Sequence, residues 1–239
     1  MPVSSGGCPA GGSPYNPPRM FRHVPNLLTG SRLVLAFVFF AMLSWYQYKG
    51  RGDPTFLNVA FFIYLVALVT DYLDGYLARL WKVEGQFGRI VDPFVDKILV
   101  LGSFIFFAGK NFIIPATAVA PHEGQMVVRT LTGVAPGMVV ILLARELLIT
   151  TLRGMSESTG QNFAAVWAGK VKMVLQSITI LVILIYVNYH AWLHDHGPWD
   201  DVARWTRDGF IWLTLVVTVF SGLSYVRKAT ALYRTGTAA

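Results

Sequence analysis

The chain has 239 residues, of which 54% are hydrophobic and only 14% charged, against about 25% charged in an ordinary soluble domain. With a mean hydropathy of +0.50, this composition excludes a soluble globule, a disordered chain and a collagen-like repeat; Cys8, the one cysteine, excludes a disulfide scaffold. The net charge of +7 comes from basic residues set between apolar runs rather than on a continuous basic face, which points to anionic lipid and anionic substrates and away from nucleic acid.

Residues 1–24 carry Gly6, Gly7, Gly11, Gly12 and the pair Pro17 and Pro18 without an apolar stretch, and read as a flexible tail rather than a signal peptide or a span. A bilayer core needs about 20 apolar residues per helix. Six stretches meet that length: about 31–48, 56–79, 89–108, 133–152, 167–189 and 209–226. The expected fold is therefore an all-α integral membrane protein of six transmembrane helices, one domain over 25–230 with a short C-terminal tail at 231–239. Six spans put both termini on one side. Fourteen Lys and Arg fall on that side and six on the other, so the positive-inside rule makes it the cytoplasm. The segment 190–208, with His190, His194, Asp195, His196, Asp200 and Asp201, then reads as a polar loop outside. Its histidines fit no standard metal spacing, and a solvated loop is preferred to a metal site. Neither an internal repeat nor a second domain is visible.

The second span is apolar from Phe56 to Thr70 and then meets Asp71, Asp74 and Arg79; the third opens with Gly88, Asp92 and Asp96. A carboxylate at membrane depth is costly unless paired or metal-bound, so four of them imply function. On helices, Asp71, Asp74, Gly75 and Ala78 share one face, and Gly88, Asp92 and Asp96 share another. Two consecutive helices can therefore aim four acids at one point. Cations or protons relieve the repulsion among them, and oxygen-only ligands favour Mg²⁺, Mn²⁺ or Ca²⁺ over zinc. The small residues on the same faces either leave room for a ligand, such as a pyrophosphate bridging the metals, or allow close helix packing.

The stretch DYLDGYLARLWKVEGQFGRIVDPFVDK, Asp71 to Lys97, fits D-x-x-D-G-x-x-A-R-x8-G-x3-D-x3-D at every fixed position. In this the chain resembles the CDP-alcohol phosphotransferases, a family of six-span membrane enzymes. The resemblance implies that Asp71, Asp74, Asp92 and Asp96 hold two divalent cations, Mg²⁺ or Mn²⁺, against the diphosphate of a CDP-linked lipid. It also implies Asp96 as the general base and Gly75, Ala78, Arg79 and Gly88 as lining of the nucleotide site.

The acceptor must be read elsewhere. ARELLITTLRG places Arg145, Glu146 and Arg153 near the cytoplasmic end of the fourth span, and WAGKVKMVLQ places Lys170 and Lys172 at the start of the fifth. Singly, such residues are snorkelling anchors. Four of them beside an acidic site suit a phosphorylated second substrate. R-E-x6-R followed by G-K-x-K, with the opening P-N-x-x-T-x-x-R at Pro25, Asn26, Thr29 and Arg32 and the ending SGLSYVRK, resembles bacterial phosphatidylglycerophosphate synthases. That likeness implies Asn26 at the CDP-lipid and Thr29, Arg32, Arg145, Arg153, Lys170 and Lys172 at the acceptor's phosphate. It departs from the pattern at the N-terminal tail, at 109–132 and at 190–208.

The expected activity is transfer of the phosphatidyl group of CDP-diacylglycerol to sn-glycerol 3-phosphate, with the active site facing the cytoplasm from a bacterial inner membrane. Expected partners are those two substrates and the lipid bilayer, with no nucleic acid; a homodimer is compatible with this reading. Inositol phosphate or serine is the alternative acceptor. A divalent-cation transporter is the alternative from another class, disfavoured by the lack of an inverted repeat.

Overall fold

The structure is a computed structural model that describes residues 24–47, 54–81, 86–114, 130–158, 167–195 and 197–236. It contains helices α1 (Val24–Trp45), α2 (Pro54–Trp81), α3 (Gln86–Phe107), α4 (Pro136–Ser158), α5 (Trp167–Asp195) and α6 (Pro198–Gly236), with a 3₁₀ turn at Lys110–Phe112. Among the described residues there is no strand, only an isolated bridge between Ile113 and Thr130. Among the described residues, three stretches are long and apolar enough to cross a membrane by length and composition: Thr55–Leu73, Gly169–Asp195 and Pro198–Arg227. Thr29–Trp45 is a shorter apolar helix. In α3 and α4 the apolar runs are interrupted by Asp96 and Lys97 and by Arg145 and Glu146. The expected tail at 1–24 lies outside the described residues apart from Val24, and α6 continues helical through 231–236.

The polar loop expected at 190–208 is corrected by the structure. α5 runs on to Asp195 and α6 starts at Pro198, so helix covers nearly all of that segment. Polarity suggested a loop, but helix-start chemistry prevails. Gly197 takes φ +67, Pro198 occupies the first helical position, where its missing N–H costs nothing, and Asp200 and Asp201 stand in the first turn, where they complement the helix dipole. His190 and His194 of α5 face Asp200 of α6, with Nδ1 to carboxylate distances of 3.4 and 3.7 Å.

α1 packs on α2 and α3; α5 packs on α2, α3 and α6; α4 packs on α3 and α6. Phe39, Leu43, Tyr64, Phe104, Phe107, Ile180, Ile183 and Leu184 form the buried centre. Phe37, Phe62, Val140 and Phe220 point outward and are exposed, as suits helices solvated by lipid tails. In that solvent apolar side chains gain little by meeting one another, so small and polar residues hold helices together. Accordingly, Asn188 Nδ2 donates to Asn58 Oδ1 across α5 and α2 at 2.6 Å, and the hydroxyls of Thr179 and Thr214 join α5 to α6 at 2.7 Å. Gly102 lets α3 approach the Phe40 ring of α1 where a Cβ would overlap it.

One end of the bundle is fastened by hydrogen bonds. Asn111 Nδ2 donates to the carbonyls of Leu43 and Ser44 at 3.0 and 2.9 Å, and Thr132 Oγ1 donates to that of Phe107 at 2.6 Å. Arg207 of α6 donates to the Leu131 carbonyl at 2.6 Å, grips Asp208, and lies over the Tyr186 ring at 4.4 Å. Exposed Trp45, Trp192, Trp199 and Trp205 mark the same end, the placement of an interfacial aromatic belt.

Gly133, at φ +72, sits under the Arg207 clamp, and a Cβ there would come within 2.8 and 2.9 Å of Asp208 and Arg207 atoms. Gly133→Ala is therefore expected to destabilise the protein by about 1–3 kcal/mol, from the left-handed backbone penalty and the crowding together. Gly137→Ala, with nothing within 4 Å of its Cβ position, is the control and should leave stability unchanged or raised. Thermal unfolding of the detergent-solubilised variants checks both.

Candidate active site

Each helix carries its functional side chains as a continuation of its own buried stripe. On α1, Thr29, Arg32, Ala36, Phe39 and Leu43 recur at three- and four-residue spacing and are all buried. On α2, Leu57, Ala60, Tyr64 and Ala67 lead at the same spacing to Asp71, and on α3, Phe107, Ser103 and Leu99 lead back to Asp96. Helix packing that buries these stripes necessarily brings their polar ends together.

The result is a junction of three helices. Arg32 Nη1 donates both to Asp71 Oδ1 and, at 2.7 Å, to Asp96 Oδ1. The Arg32 side chain is 1% exposed, so its charge is compensated at a depth where an unpaired guanidinium would be costly. Sequence reasoning grouped Thr29 and Arg32 with the acceptor's phosphate. The structure pairs Arg32 with the acids, with Thr29 buried one turn earlier on the same face. Among candidate counter-charges, sequence reasoning named cations and protons and missed this guanidinium, which comes from a helix distant in sequence.

Adjoining the acids is a cavity of about 390 Å³ whose lining includes Asp96, Lys97, Arg145, Glu146, Arg153, Lys170, Lys172 and Gln176. It thus collects from α4 and α5 the four basic residues expected at the acceptor site. Arg145 and Lys172 are tethered: Glu146 Oε2 accepts from Arg145 Nη1 at 3.0 Å and from Lys172 Nζ, and Lys97 Nζ lies 3.8 Å from Glu146 Oε1. Arg145 also donates to Ser221 Oγ at 2.5 Å and stands over the Tyr225 ring, both on α6. Arg153 and Lys170 are exposed and make no ion pair among the described residues. Sequence reasoning noted Glu146 without giving it a role, and it assigned none to Lys97 or Gln176. Glu146 was legible in part, since an acid next to Arg145 among basic residues is a natural counter-ion.

The side chains of Asn26, Asp74, Gly75, Ala78, Arg79, Gly88 and Asp92 lie outside the described residues; the helical course of α1, α2 and α3 carries all seven positions. Among the described residues no group of three or more His, Cys, Asp or Glu side chains could hold a metal ion. Asp71 and Asp96 bring carboxylate oxygens from two helices to one positive centre, the Arg32 guanidinium, and oxygen donors are also what a hard divalent cation requires.

The sequence has counterparts among known proteins. Residues 22–220 match the model of the CDP-alcohol phosphatidyltransferase family, and the chain belongs to that family. Its relatives include proteins named CDP-diacylglycerol–glycerol-3-phosphate 3-phosphatidyltransferase. That of Bacillus subtilis (strain 168) is 28% identical over 213 residues, covering 86% of this chain and 94% of the relative. That of Escherichia coli (strain K12) is 28% identical over 215 residues, covering 87% and 96%. A third, from Cereibacter sphaeroides, is 26% identical over 238 residues, covering 86% and 95%.

Glu146 offers a test of the cavity wall. Its removal leaves the Lys172 ammonium, 5% exposed, without its hydrogen-bonded counter-charge. Glu146→Gln is expected to cost about 3 kcal/mol or more, the scale for breaking a buried pair. Adding Lys172→Met should recover part of that loss, because Arg145 is still left without its counter-charge. Unfolding of single and double variants in mixed micelles measures the coupling.

Proposed function

We propose that the chain transfers the phosphatidyl group of CDP-diacylglycerol to sn-glycerol 3-phosphate, giving phosphatidylglycerophosphate and CMP, a step of phospholipid biosynthesis that the names of its relatives describe for them. One observation carries the reading: Asp96 belongs to the acidic junction and also lines the cavity walled by Arg145, Arg153, Lys170 and Lys172. An acceptor held there by its phosphate has its hydroxyl beside a carboxylate that can take a proton.

In this reading residues 25–230 form one six-span domain with both termini and the cavity on the cytoplasmic side of a bacterial inner membrane. The excess of Lys and Arg on that side supports the orientation. Asp71, Asp74, Asp92 and Asp96 would hold two divalent cations, Mg²⁺ or Mn²⁺. When bound, these supply electrophilic activation of the diphosphate and charge neutralisation at the departing CMP. Gly75, Ala78, Arg79, Gly88 and Asn26 accommodate the CDP-lipid. The basic residues fix the acceptor phosphate by charge-assisted hydrogen bonds, Glu146 keeping Lys172 and Arg145 against the wall. Asp96 accepts the hydroxyl proton as that oxygen bonds to the lipid-side phosphorus and the bond to CMP breaks.

The direct test is radiolabelled glycerol 3-phosphate with CDP-diacylglycerol, with and without Mg²⁺ or Mn²⁺, followed by lipid extraction. Label should enter lipid only with both substrates and a metal; labelled inositol phosphate or serine entering instead would reassign the acceptor. Asp96→Asn should lower kcat about 10²-fold or more. Arg153→Ala should raise KM for glycerol 3-phosphate about tenfold, the worth of one charge-assisted hydrogen bond, while KM for CDP-diacylglycerol stays constant. A pure snorkelling role for Arg153 would leave both constants unchanged.

A further inference from the structure

Charge alone cannot choose among phosphorylated alcohols. The basic residues of the cavity recognise a phosphate whatever carbon skeleton it carries, so the skeleton must be read by a neutral group. Gln176 is the candidate. It follows Lys172 by one turn on the same face of α5, is 1% exposed, and lines the cavity. Its Nε2 is buried with no hydrogen-bond partner among the described residues. Val100, Leu101, Ile149 and Met173 of the lining offer no side-chain acceptor, and none of the acceptors in it, Asp96, Glu146, Thr150 and Tyr225, bonds this nitrogen.

A primary amide nitrogen carries two donors, and leaving them unmade away from water is costly. A leucine at 176 would avoid that cost, so the amide calls for a partner that enters with a ligand. The geometry agrees. Residues four apart on a helix are about 5–6 Å apart at Cβ, comparable with the length of a three-carbon phosphate ester. With the phosphate on Lys172 and the reacting hydroxyl at Asp96, the middle of the acceptor lies along the wall that Gln176 completes. The terminal torsion of a glutamine is broad, so the N–H can turn to meet an oxygen there.

We propose that Gln176 donates to the non-reacting hydroxyl of the acceptor and thereby selects a polyol phosphate over a simple hydroxyalkyl phosphate. This rests on the acceptor reading above and adds the residue that sets its specificity. Gln176 is a binding residue for the bystander hydroxyl and takes no part in proton transfer.

The experiment compares sn-glycerol 3-phosphate with 3-hydroxypropyl phosphate, which keeps the phosphate and a primary hydroxyl but lacks the middle one. Wild-type enzyme should favour the glycerol ester in kcat/KM by about tenfold or more, the cost of leaving one buried donor unpaired. Gln176→Leu should bring the two acceptors within about twofold of each other, chiefly through a higher KM for glycerol 3-phosphate, with KM for CDP-diacylglycerol unchanged. Gln176→Met replaces it should the leucine variant fail to accumulate. A wild-type enzyme that does not distinguish the two esters overturns the proposal without any variant. So does a variant that keeps the preference, or one that loses activity equally on both, which would mark Gln176 as packing only. Turnover of neither ester by the wild type would overturn the acceptor reading itself, a result distinct from turnover without preference.

Discussion

Arg32 donates from one nitrogen to both Asp71 and Asp96, and so ties α1, α2 and α3 at the point where their buried stripes turn polar. A guanidinium as buried as that of Arg32 is costly without counter-charges, so the three side chains specify one another's position. Any displacement of α1 along α2 or α3 would draw the buried Arg32 guanidinium away from its carboxylates. The apolar part of each stripe supplies close packing with little preference for register, whereas this junction has one low-energy arrangement. The cavity beside it inherits that fixity, because Asp96 belongs to both.

The second cluster follows the same logic with signs reversed. Around Glu146 one carboxylate gathers Arg145 and Lys172, with Lys97 nearby, as Arg32 gathers two acids. Each cluster leaves charge over: acidic at the junction, basic in the cavity. The proposed substrates, a diphosphate with its cations and a phosphorylated alcohol, would divide in the same way, and the two remainders meet at Asp96.

Much of this was legible in the chain. Asp71 and Asp96 lie within two helices and one short connection, and helical periodicity puts each at the polar end of its helix's buried stripe, so their meeting was readable locally. Arg145, Arg153, Lys170 and Lys172 could be grouped because they cluster near two neighbouring span ends. Arg32 could not be assigned in this way, since its partners lie 39 and 64 residues away and no periodicity links them. The segment at 190–208 was misread because its polar composition outweighed Gly197, Pro198, Asp200 and Asp201, which announce a helix start. Gln176 reads in sequence as one more residue of an apolar helix; only its burial without a partner distinguishes it.

The fastening at Asn111, Thr132, Gly133 and Arg207 stands at the end of the bundle away from the acids. Along α5 the rise of a helix puts Asp195 about 35 Å from Lys172. The exposed turn at Gly197 and Pro198 is therefore a handle. A tether, dye or fused domain attached there would hold the protein by its fastened end and leave the mouth of the cavity open to soluble reagents, so immobilised enzyme can be supplied with acceptor from the free side.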